Sequence, residues 1–155
     1  MTFTIAFAPR HCLAALLALT AFVSGCASVN LADAEADAQR KTFAAPAADK
    51  AGIYVYRNET MGAAVKMPVV LDGQLIGETA SKTYFYKEVA PGKHTVESLT
   101  EGKENKLEVE TKGGTLTYIW QEVKMGMWAA ASKLHLVSAE EGQKGVSESR
   151  LAVPR

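Results

Sequence analysis

The side chains that could do chemistry are few and scattered. Away from the apolar opening stretch the chain has two histidines, His94 and His135, each isolated among strand-type residues without a Cys, Asp or second His at metal-ligand spacing. A zinc-like ion needs three or four such donors brought together, so both positions read as polar-face imidazoles and no metal site is expected. Ser81, Ser98 and Ser132 lack the Gly-x-Ser-x-Gly elbow that presents a hydrolase serine, and the sequence has no glycine-rich phosphate loop. Glu108 and Glu110 alternate with Leu107 and Val109, which puts both carboxylates on one face of a strand. Solvated charge is the expectation there, because paired acid and base work needs two carboxyls in different environments. No catalytic residue and no cofactor is predicted, and the chain is not expected to be an enzyme.

Binding chemistry is better represented. In Tyr84-Phe85-Tyr86 the strand period places Tyr84 and Tyr86 on one face and Phe85 on the other. If that face stays open, the two tyrosines could stack on a glycan or a protein partner; the favoured alternative is that all three pack against the sheet or its cover. The stretch from Met125 to Ala131 is unusually apolar for a connection. As an exposed tip it would let Trp128 touch a partner or a bilayer, while a buried strand extension is the favoured reading. Tyr84, Tyr86 and Trp128 are thus the candidate partner-binding residues.

Cys26 offers a different chemistry, that of a thiol placed just after a leader. Arg10 and His11 precede an apolar run from Leu13 to Val23, followed by the small residues Ser24 and Gly25. This is the order of a secretory signal peptide, expected to span residues 1–25 and to be removed. The run is too short to cross a bilayer core, which takes about 20 apolar residues in a helix. Val23-Ser24-Gly25-Cys26 resembles the lipobox of bacterial lipoproteins. That resemblance implies cleavage between Gly25 and Cys26, a diacylglyceryl thioether on the Cys26 sulfur and acylation of the freed amine. Several chains make such an anchor stable, since each buried methylene is worth about 0.8 kcal/mol and one chain binds only marginally. Ala27 is not the Asp that retains many enterobacterial lipoproteins at the inner membrane, so the resemblance implies the outer membrane, with the protein facing the periplasm. Cys12 lies in the leader, which would leave the mature chain without a free thiol or a disulfide.

Two further regions follow. Residues 26–50 are dominated by Ala and small polar groups, with Val29, Leu31 and Phe43 as the larger apolar side chains, and read as a lipid-anchored flexible tether in which Leu31 to Lys41 is at most a transient helix. Residues 51–155 change to short runs rich in Val, Ile, Tyr and Thr, separated by turn residues about every ten positions. The texture predicts an all-β fold, a small antiparallel β-sandwich of about seven or eight strands with a short C-terminal helix. Asp72-Gly73 marks a two-residue hairpin, Pro91-Gly92 a type II turn and Gly113-Gly114 a third hairpin. Leu116, Tyr118 and Trp120 share one face of a strand whose other face carries Ile119 and Val123, so that strand should be central. Ser138 and Glu141 form a capping box for the helix, which Gly142 and Gly145 should keep short or weak.

The succession Ala51-Gly52-Ile53-Tyr54-Val55-Tyr56-Arg57-Asn58, Val70-Leu71-Asp72-Gly73, Ile76-Gly77, Tyr84-Phe85 and Ala90-Pro91-Gly92-Lys93-His94 is similar to a proteobacterial lipoprotein family known as domain of unknown function number 2846. The likeness covers about residues 50–150. The segment from Val70 to Val96 also resembles PEGA-type β-sandwich repeats, which implies a surface sandwich and carries over no catalytic residue.

Charge narrows the partners. The 155 residues hold 17 Lys plus Arg against 17 Asp plus Glu, and loss of Arg10 with the leader would leave 16 against 17. Such a balance lacks the basic excess of a nucleic-acid binder. The expected function is a lipid-anchored, periplasm-facing envelope module that contacts the membrane through its acyl chains and binds a protein or peptidoglycan. An envelope enzyme or small-ligand carrier without a recognisable motif is the alternative.

Overall fold

Alternation of apolar and polar residues needs two sheets to bury its apolar sides, and two sheets form. A computed structural model describes residues 26–100, 103–125 and 130–155; the expected signal peptide, with Gly25, and Trp128 lie outside the described residues. The elements are α1 (Ala34–Arg40), β1 (Ala51–Arg57), β2 (Met67–Leu71), β3 (Gln74–Thr79), β4 (Thr83–Val89), β5 (Gly92–Thr100), β6 (Lys103–Thr111), β7 (Leu116–Met125), β8 (Ala130–Val137), α2 (Ala139–Ser147) and β9 (Arg150–Leu151). One sheet runs β8-β7-β1-β4-β9 and the other β3-β2-β5-β6, so the chain is the expected β-sandwich with a short C-terminal helix. Between the sheets lie Ile53, Val55, Val69, Phe85, Val96 and Ile119, all essentially inaccessible to water.

Local turn chemistry behaves as its residues dictate at Asp72-Gly73. Both have positive φ, 51° and 78°, and they join β2 to β3 as a tight hairpin. Two other expectations change. Gly113-Gly114 does not close a hairpin, because β6 and β7 belong to different sheets. The Gly114 amide donates to the Lys50 carbonyl and the Gly52 amide to that of Thr115, which peels β7 away to pair with β1. That pairing is parallel, as is β4 with β9, so the larger sheet is mixed rather than wholly antiparallel. The reason is topological: β7 comes back from the smaller sheet and enters beside β1 from the same end. It is central, as expected, with Tyr118 and Ile119 buried on its opposite faces.

The region expected to be a flexible tether is docked on the domain. The Ala27 amide donates to the Ala63 carbonyl at 2.9 Å, Leu31 bridges Ala152, and α1 starts at an Asp33 cap whose carboxylate accepts from the Ala36 amide. From the 58–66 loop the segment passes the β9 edge and crosses the outer face of the larger sheet. It ends at the opposite pole, where the Ala48 carbonyl lies against Gly113. It buries no core of its own, and is held by anchors supplied by the rest of the chain.

Candidate functional site

Cys26 is exposed and is the first described residue. The very next residue is hydrogen-bonded into the loop between β1 and β2. This loop is organised by Arg57, which is fully buried at the end of β1 and whose guanidinium donates to the carbonyls of Val65 at 2.8 Å, Met61 at 3.0 Å and Gly62 at 2.6 Å. Burial pulls the Arg57 guanidinium below its ordinary pKa, while the Glu59 carboxylate opposes that shift. Three carbonyls around one cation turn a nine-residue loop into a fixed projection beside the cysteine.

The tyrosine face proves to be closed by the protein itself. Tyr54, Tyr56, Tyr84, Tyr86 and Tyr118, all five tyrosines of the chain, stand on the outer side of the larger sheet. Tyr54 stacks on Tyr118 at 5.2 Å between ring centroids, and Phe43 meets both edge-on. The Tyr54 hydroxyl donates to the Arg40 carbonyl at 2.7 Å, and the Leu151 amide donates to Asp37 Oδ1 at 2.8 Å. Tyr84 is therefore fully buried, and Tyr86 is half-buried beneath the Arg40 guanidinium, 4.1 Å from its ring centroid. The face on which Tyr84 and Tyr86 were candidates for a partner surface is instead occupied by α1 and Phe43, the favoured reading of the two, because a face of five aromatic rings gains more from this cover than from water. Phe85 faces the core as expected. Burial raises the phenols of Tyr54 and Tyr84 well above their ordinary value and pushes that of Tyr56 up to about 12, so none ionises near neutral pH.

His94 and His135 each have a carboxylate partner that sequence spacing did not reveal. His94 Nδ1 lies 2.7 Å from Asp72 Oδ2 and His94 Nε2 lies 2.7 Å from the Ala90 carbonyl. Both neighbours are acceptors, so the ring satisfies both only as the doubly protonated imidazolium. Burial disfavours that charge, but the Asp72 carboxylate and the Ala90 carbonyl outweigh it and raise the His94 pKa. His135 stacks on Trp120 at 5.1 Å and its Nε2 lies 2.8 Å from Glu122 Oε2. Asp72 is 22 positions from His94 and Glu122 is 13 from His135, separations that only strand pairing closes. The two imidazoles sit in different sheets and do not converge. Among the described residues no group of three His, Cys, Asp or Glu side chains is placed to hold a metal ion.

The serines divide between surface and core. Ser81 donates to the Glu59 carbonyl at 2.8 Å. Ser98 and Ser132 are buried in a chain of side-chain bonds: Ser132 donates to Ser98, whose oxygen accepts from Gln121, which in turn accepts from Thr79. Satisfied buried hydroxyls of this kind fix sheet packing. Glu108 and Glu110 are exposed on β6, as expected of solvated charge. Sequence reasoning missed a cleft between α2 and the larger sheet, lined by Tyr56, Asn58, Trp120, Glu141, Lys144 and Glu148, which brings an aromatic ring and charges of both signs to one recess.

Two packed sheets with a short C-terminal helix define the class as a β-sandwich. The chain belongs to the family described as protein of unknown function (DUF2846), which matches residues 47–133. It is similar to an uncharacterised protein of Haemophilus influenzae, 32% identical over 140 residues, which covers 90% of this chain and 83% of that one. No solved structure matches it.

Proposed function

We propose that this chain is a lipid-anchored protein of the bacterial envelope, held at the periplasmic face of the outer membrane through a diacylglyceryl thioether on Cys26, and that its sandwich is a non-enzymatic binding or structural module. The observation that carries the reading is the Val23-Ser24-Gly25-Cys26 lipobox likeness ending at a cysteine that stands exposed beside the domain. The covalent lipid would be its only prosthetic group. No helix of the described residues is long and apolar enough to cross a membrane. The PEGA-like succession from Val70 to Val96 supports a surface sandwich that contacts an envelope protein or peptidoglycan. Commitment of both imidazoles to carboxylates in separate sheets, rather than to one shared pocket, favours binding over catalysis.

Cys26→Ser is expected to abolish metabolic acyl labelling and to move the protein from the membrane to the soluble fraction. Unchanged labelling and fractionation would sink the anchoring claim. For binding, the cleft beside Trp120 takes over from Tyr84 and Tyr86 as the surface to probe. Photo-crosslinkers at Asn58 and Lys144 should trap one recurrent partner in living cells, and silence at both positions would remove the case for that cleft.

A further inference from the structure

We propose that the pole of the sandwich formed by the β1–β2 loop, the β3–β4 turn and the end of β7 rests directly on the phospholipid surface to which Cys26 is attached. The inference rests on the acylation of Cys26 proposed above, and its starting point is a lever arm. The Ala27 amide is bonded to the Ala63 carbonyl at 2.9 Å, and Cys26 is one residue away. Consecutive Cα atoms stand about 3.8 Å apart, so acyl chains on Cys26 begin within a residue of the loop and leave no room for a spacer.

What that pole presents suits the interfacial zone of a bilayer. Met61 in the loop and Met125 at the end of β7 are 58% and 59% exposed, among the most exposed large apolar side chains of the described residues. Gly62, next to Met61, lies against Val123, which places the loop beside the end of β7. Lys66 is exposed in the same loop, and it shares a recess with Ser28, two residues past the cysteine. Lys82 is exposed in the β3–β4 turn, whose Ser81 hydroxyl is bonded to the Glu59 carbonyl. The Glu59 carboxylate is turned inward, accepting from Trp120 Nε1 at 3.0 Å and from the Val123 amide, so it does not offset the lysines at the surface. Long lysines flanking apolar tips can place their ammonium groups among lipid phosphates while the methionines enter the acyl boundary. Arg57 holds Met61 in place, so the loop is presented without an ordering cost at the membrane.

The test uses the acylated full-length mature protein with one introduced cysteine, carrying an environment-sensitive fluorophore, at Met61→Cys, Met125→Cys or, at the opposite pole, Leu75→Cys. Each is reconstituted into phosphatidylethanolamine–phosphatidylglycerol vesicles. Brominated lipids should quench the labels at 61 and 125 several-fold more than the label at 75, which is also exposed in the protein, at 47%. Equal quenching at all three in protein that floats with the vesicles would overturn the proposal and leave the acylation reading standing. Protein that neither carries acyl mass nor floats would overturn both. Shielding of residue 61 in cell envelopes but not in protein-free vesicles would assign the pole to a protein partner and likewise overturn the proposal.

Discussion

His94 and Asp72 tie the β2–β3 hairpin to the start of β5, and their protonation sets when that tie is strong. Burial raises the Asp72 pKa, but the Thr95 amide at 2.9 Å and the His94 ring outweigh it, and the net shift is downward. The His94 pKa is raised instead. A depressed carboxylate contributes stability above its unfolded pKa and loses it as pH falls through the folded value; a raised imidazole contributes below its unfolded pKa and loses it as pH rises through the folded value. The pair therefore stabilises most between the two, and stability should decline as pH climbs past the ordinary histidine value of 6.5. The ring resonances of His94, followed by NMR, should titrate above that value, and Asp72→Asn should bring them down; an unshifted titration in the parent protein would contradict the pairing. Arg57 makes the second residue-scale prediction. Arg57→Leu removes three bonds to carbonyls, each of a kind worth about 1.5–3 kcal/mol to a charged donor, though relief of a buried charge offsets part of the loss. A net destabilisation of about 3 kcal/mol in denaturant unfolding is expected, with faster amide exchange confined to the 58–66 loop.

At the scale of elements, α2 shows how helix propensity and packing can point in opposite directions. Gly142 and Gly145 look like helix breakers in the sequence, yet they are where the helix lies flat on tyrosine rings. A Cβ on Gly145 would fall 2.1 Å from Tyr56 and one on Gly142 2.3 Å from Tyr118. Gly145→Ala should therefore destabilise by about 1–3 kcal/mol through overpacking, although alanine is the better helix former; a gain in Tm would refute the close approach. The Ser138 cap was legible because its signal is local, and the Glu141 amide does bond the hydroxyl at 3.2 Å. Docking of the N-terminal segment was not legible, since its contacts are distant in sequence: Asp37 serves the Leu151 amide 114 residues away. Phe43 even adopts a positive φ of 53°, a strain that a bulky residue bears only where its packing repays it. Phe43→Ala should cost about 2 kcal/mol from its two edge-on contacts and its buried area, and raise hydrogen exchange across residues 27–50. Unchanged exchange there would mean the segment is held by other means.

For the whole molecule, composition and strand period were enough to reach a sandwich, because alternating faces require two sheets whatever their order. The order itself depends on β1 pairing with β7 across more than half the domain, and no local signal marks that choice. The candidate site followed the same division. The lipobox likeness at Cys26 is local, carried by four consecutive residues, whereas the cover over Tyr84 and Tyr86, and the carboxylates beside His94 and His135, emerge only from long-range pairing. Docking of residues 27–50 also changes what anchoring would mean, since the domain then has no reach of its own and would be confined to the bilayer surface. Intact-mass spectrometry of the protein purified from the membrane fraction tests the central claim most directly. Acylation predicts a chain beginning at Cys26 and heavier than its polypeptide by a diacylglyceryl group and an amide-linked acyl chain, both lost in Cys26→Ser. A membrane-fraction protein of bare polypeptide mass, or one cleaved elsewhere, would contradict it.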